Sequence, residues 1–134
     1  MILALVVLMF LVMMVHEVIH GLGFLLLAGV RPSFAFKGFY AYAAAPGWFI
    51  PRNPYLVIGL APLMVISLTG ILLMAVVPAA WVGLLVLLCV FNASGAVGDL
   101  WVAWLLLRQP PDALAQDMGD EIRIYTPGMV VGER

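Results

Sequence analysis

Apolar residues in this chain fall in long blocks with few polar interruptions, not in the alternation of a half-buried strand or the one-sided stripe of a surface helix. A block of about 18 apolar residues or more is the pattern of a membrane-spanning helix. Three qualify, running from Ile2 to about Ala28, from about Tyr55 to Val77, and from about Trp81 to Leu107. Pro78 marks a tight turn between the second and the third. The segment 29–54 is punctuated by Pro32, Gly38, Pro46, Gly47 and Pro51, which predicts a loop. Beyond Leu107, the Gln109-Pro110-Pro111 break and the charges Arg108, Asp112, Asp117, Asp120, Glu121 and Arg123 predict a short aqueous tail over 108–134. The predicted fold class is all-α integral membrane, with three transmembrane helices in a single membrane-embedded domain over residues 1–134.

Two shorter patterns modify this picture. In the loop, Phe34 and Phe36, then Tyr40 and Tyr42, alternate about Lys37-Gly38 in the manner of a short β-hairpin. Its edge would suit strand addition by an extended peptide, and its rings would equally suit an interfacial aromatic belt. In the tail, Glu121 to Tyr125 also alternates and is expected to pair with that hairpin.

Composition agrees with a lipid environment: 66% of residues are hydrophobic and 10% charged, against about a quarter charged in soluble domains. With no basic patch, nucleic-acid binding is excluded. The first block lacks a basic leader and a small-x-small cleavage site and is too long for a signal peptide, so it is read as a span. The single cysteine, Cys89, lies within the third block and is read as a packing residue, as are Met9, Met13 and Met14 against protein or lipid. All six basic residues, Arg31, Lys37, Arg52, Arg108, Arg123 and Arg134, lie in the loop and the tail. The positive-inside bias therefore predicts that both segments are cytoplasmic.

The candidate chemistry is inside the spans. His16-Glu17-Val18-Ile19-His20 is an H-E-x-x-H pattern, which puts two imidazoles one helical turn apart on one face and a carboxylate beside them. Two such histidines suit one zinc ion, and Glu17 is then a general base for water at the metal. A lone histidine in an apolar helix is usually a hydrogen-bonded packing residue, but two in register with a glutamate, at a cost of about 3 kcal/mol for burying an acid in lipid, call for a purpose. A catalytic zinc usually takes three protein ligands. Asp99 is the one charged residue between Asn53 and Leu107, so it is the expected third ligand. Counting at about 1.5 Å per residue from the cytoplasmic helix ends, His20 and Asp99 both lie about 12 Å deep, and His16 about 18 Å.

The small residues Ala93, Ser94, Gly95, Ala96 and Gly98 precede Asp99, and Gly21 and Gly23 follow His20. They predict close backbone packing of the first and third spans. Asn92 is a candidate for a hydrogen bond to a substrate carbonyl or to a metal ligand, or for a plain interhelical bond. In the second span, Pro62 frees a backbone carbonyl and is read as scaffold, with a role in opening a water path to the metal.

Together these residues resemble the putative zincin peptidases, a family of bacterial membrane proteins, themselves similar to intramembrane metalloproteases of the site-2 protease type. The likeness rests on His16-Glu17-x-x-His20-Gly21, Ala61-Pro62, Asn92-x-x-Gly95-x-x-Gly98-Asp99-Leu100 and Asp117-x-Gly119-Asp120-x-Ile122-x-Ile124-Tyr125. It implies three transmembrane helices in a bacterial cytoplasmic membrane, with zinc held by His16, His20 and Asp99 and reached by water from the cytoplasmic side. The expected function is zinc-dependent hydrolysis of a membrane protein or peptide substrate. The competing readings are a catalytically silent metal-binding scaffold or regulator and a metal or proton conduit. Another divalent ion would also suit such ligands, and oligomeric state is not legible.

Overall fold

The computed structural model describes residues 2–36, 38 and 40–126. Lys37 and Arg134, two of the six basic residues on which the orientation was read, lie outside the described residues. Among the described residues the chain is mostly helical, with two small antiparallel sheets, one of which lies along the middle of the first helix, where Phe36 meets Phe10 and Phe34 meets Gly21.

Helix α1 spans Ile2–Leu27 and ends where Gly29 takes a φ of 67°, which only a residue without a Cβ adopts at little cost. The turn brings the Val30 amide back to the Phe24 carbonyl at 3.0 Å. Strands β1 (Ser33–Phe36) and β2 (Ala41–Ala44) then pair antiparallel, with Ser33 opposite Ala44 and Phe36 opposite Ala41. This is the hairpin its alternating rings predicted. Its Phe34 ring lies against Gly21 of α1, where any side chain would collide with it.

The two-residue strand β3 (Ile50–Pro51) leads into α2 (Arg52–Met74), which begins three residues earlier than the apolar block suggested. A first-turn amide has no partner within its helix, so Pro54 is tolerated there. The Arg52 amide donates instead to the Ala113 carbonyl at 2.9 Å.

The third apolar block departs from expectation. It is not one helix over 81–107 but two, α3 (Ala79–Gly95) and α4 (Val97–Leu107), bent by 46° about Ala96. Ala93, Ser94, Gly95 and Gly98 are exposed, and a Cβ at Gly95 or Gly98 would meet nothing within 4 Å. The small residues therefore mark a bend rather than a helix-helix seam. The glycines of α1 also serve other neighbours, since Gly23 faces Ile58 of α2 and Gly21 faces the hairpin.

The tail departs further from a plain aqueous extension. Strands β4 (Leu114–Asp117) and β5 (Ile122–Tyr125) pair with each other and with β3 in the order β3-β4-β5, so β5 does not pair with the hairpin as expected. The fold is accordingly not all-α. Ala113 and Ala115 are fully buried, and Ala115 joins Phe24, Val30, Ile50, Tyr55, Ile58 and Leu106 in one core. That core sits at the end of the helices that carries β3, β4 and β5. Elsewhere the outer faces are bare and apolar, with Val6, Phe10, Val18, Leu22, Leu68, Leu72 and Val90 exposed. Helices α1 and α2 are each long and apolar enough to cross a membrane, and the bent pair α3–α4 passes the same test as one broken span.

Candidate metal centre

His16 and His20 lie in the last two-thirds of α1, one turn apart on the face turned towards α2 and α3, and both are buried, at 7% and 8% exposure. Asp99 comes from the first turn of α4, just past the bend, and approaches both rings. Its Oδ2 is 3.1 Å from His16 Nε2 and its Oδ1 3.4 Å from His20 Nε2. One ligand atom from each of the three residues lies within 4.8 Å of the others. Ligand atoms about 2.0–2.1 Å from a tetrahedral zinc stand about 3.3 Å apart, so the two shorter separations match such a shell.

The other ring nitrogens are tied down. His16 Nδ1 donates to Asn92 Oδ1 at 2.9 Å, and His20 Nδ1 donates to the Ile58 carbonyl at 3.1 Å. With their protons on Nδ1, both imidazoles turn bare Nε2 lone pairs towards a carboxylate. Three electron-pair donors facing one another in a buried pocket repel unless a cation stands among them. Histidines that bind metals characteristically donate the remaining N–H to such an acceptor, which fixes ring orientation and tautomer. The donor set therefore fits a metal ion.

Glu17 does not join the cluster of ligands. Its Oε2 accepts a hydrogen bond from the Ala43 amide of β2 at 2.7 Å, which holds the carboxylate at the boundary of two cavities. The larger, of about 260 Å³, is bordered by Glu17, His20 and Asp99 and opens among Tyr42, Asp117, Asp120 and Glu121. The smaller, of about 160 Å³, is bordered by His16, Glu17, Asn92 and Gly95. Gly98 borders the larger one, so the glycines at the bend leave open the space that a side chain would fill.

Asn92 is 2% exposed, and its Nδ2 is the one buried side-chain polar atom without a partner among the described residues. The tail contributes residues that the sequence pattern did not single out for the site. Asp117 accepts from the Tyr55 hydroxyl at 2.6 Å and from the Gly119 amide at 2.8 Å, and burial pushes its carboxyl above the usual carboxylate range. The Tyr40 hydroxyl donates to Asp120 at 2.8 Å, joining the hairpin to the β4–β5 turn. Asp117 and Asp120 stand in a motif that the family resemblance rests on, but their place at the cavity comes from strand pairing, which the motif does not disclose.

Residues 9–114 match the sequence profile of the family described as putative zincin peptidase, which covers most of the chain. The chain belongs to that family. No curated protein and no solved structure shows a significant match to it. Membership in a zincin peptidase family implies zinc, and the cluster of His16, His20 and Asp99 is a possible place for it.

Proposed function

We propose that this zincin peptidase family member is an intramembrane zinc metallopeptidase, similar to the site-2 protease type, that hydrolyses peptide bonds of membrane-associated substrates. The observation that carries the reading is the paired arrangement of His16 and His20, each aiming Nε2 at Asp99 while its Nδ1 proton is held by a fixed acceptor. His16, His20 and Asp99 would hold the ion, and a bound zinc would polarise the scissile carbonyl and lower the pKa of water to about 7.

The remaining steps fall to the chain's own groups. Glu17, between the two cavities, takes the proton from the attacking water and returns it to the leaving amine. The Ala43 amide keeps its carboxylate oriented while the second oxygen stays available. The unpartnered Asn92 Nδ2 offers a donor to a substrate carbonyl, and its Oδ1 holds His16. The larger cavity, rimmed by exposed Asp120 and Glu121, admits water and an extended peptide. The bent pair α3–α4 serves as the third span. The positive-inside bias of Arg31, Arg52, Arg108 and Arg123 supports a cytoplasmic side for the end that carries β3, β4 and β5.

The test is cleavage of a membrane-inserted reporter peptide by purified protein in detergent or liposomes. Wild-type protein is expected to cleave it. Glu17→Gln should lower the rate at least 100-fold, within the range of a lost general base, and leave zinc content unchanged. Full activity in Glu17→Gln would contradict the assignment.

A further inference from the structure

We infer that Pro62 is a positioning residue of the metal centre: by lacking an amide proton it reserves the Ile58 carbonyl for His20 Nδ1. The inference rests on the reading of His20 as a metal ligand and adds to it the backbone device that aims the ring.

In an α-helix the carbonyl of residue 58 accepts from the amide of residue 62. Helix α2 carries proline at that position, so the usual donor does not exist, and the ring pushes the carbonyl away from the helix axis. Ile58 is 1% exposed and Pro62 is also fully buried, which leaves the carbonyl without water as a substitute. A buried backbone acceptor needs a donor, and the donor present is His20 Nδ1 at 3.1 Å.

The facing helix is shaped for this contact. Gly23 lies one turn beyond His20, and a Cβ there would come within 3.1 Å of the Ile58 side chain. Glycine at 23 lets α1 close on α2 at the level where the bond forms. A carbonyl can only accept, so the pairing also sets the tautomer, placing the proton on Nδ1 and the free lone pair on Nε2 towards Asp99.

The experiment measures zinc affinity by chelator competition in detergent, with the visible spectrum of the cobalt-loaded protein as a readout independent of activity. Pro62→Ala supplies an amide that competes for the Ile58 carbonyl, and zinc affinity should fall 10-fold or more, the usual effect of losing an outer partner of a ligand, with an altered cobalt spectrum. A variant with lactic acid at position 62, whose ester oxygen carries no proton and no ring, should retain wild-type affinity. Imidazole nitrogen NMR of zinc-loaded wild-type protein should show a slowly exchanging proton on His20 Nδ1. The inference is overturned if Pro62→Ala binds zinc like wild type with an unchanged spectrum, if the lactic acid variant is as weak as Pro62→Ala, or if His20 is protonated on Nε2. Wild-type protein that takes up no zinc would instead overturn the metal centre, and this inference with it.

Discussion

Both candidate histidine ligands are held by a second group, and those groups come from different places in the chain. The Asn92 amide oxygen supports His16 and the Ile58 carbonyl supports His20, while the two oxygens of Asp99 face the two Nε2 atoms. Asn92→Ala removes the acceptor of the His16 proton, so zinc affinity measured by chelator competition should drop about 10–100-fold. Unchanged affinity would reduce Asn92 to a packing residue. At this scale the sequence was partly legible. The spacing of His16, Glu17 and His20 is local and survives any tertiary arrangement, because one helical turn fixes it. The supporting acceptors are not local: Asn92 and His16 are 76 positions apart. Nothing in the pattern around Pro62 says which donor its freed carbonyl meets.

Elements position these residues through their ends and breaks. The bend at Ala96 turns the last residues of α3 and the first of α4 towards α1, which is how Asn92 and Asp99 reach the two histidines. The runs of small residues flagged this region without disclosing its role, since Gly95 and Gly98 suit a seam or a break equally well. The hairpin was legible from its alternating rings. In sheet β3-β4-β5 the alternation of β5 was legible but its partner was not, because β3 has two residues and its pairing with β4 joins positions more than 60 apart. Arg52 joins the loop to the end of the third block. Its Nε donates to the Leu106 carbonyl at 2.8 Å and its Nη2 to the Leu107 carbonyl at 3.2 Å, at the end of a helix with no basic residue in its own last turn. A cation there complements the helix dipole and satisfies terminal carbonyls. Arg52→Ala should therefore cost about 1–3 kcal/mol and lower the thermal midpoint in detergent. An unshifted midpoint would show that these bonds are replaced by water.

Across the whole molecule, packing and exposure divide along the helices. Among the described residues the β3-β4-β5 sheet and the buried core lie at one end of the helices, the β1-β2 hairpin runs along α1 past the cavities, and the outer helix faces present apolar side chains, a surface that only lipid or a partner covers at low cost. The loop and the tail, which the distribution of basic residues put on the same side, are joined directly by the pairing of Ile50 with Ala115. His20 and Asp99 border the larger cavity and His16 the smaller, so an otherwise costly group of ionisable residues in apolar helices lies beside open space. The central claim is that His16, His20 and Asp99 grip one metal ion. It is tested most directly by metal analysis of detergent-purified protein, comparing wild type with His16→Ala and Asp99→Ala. About one zinc per chain is expected in wild type, with loss of the metal in both variants. Full zinc occupancy in Asp99→Ala, or none in wild type, would contradict it.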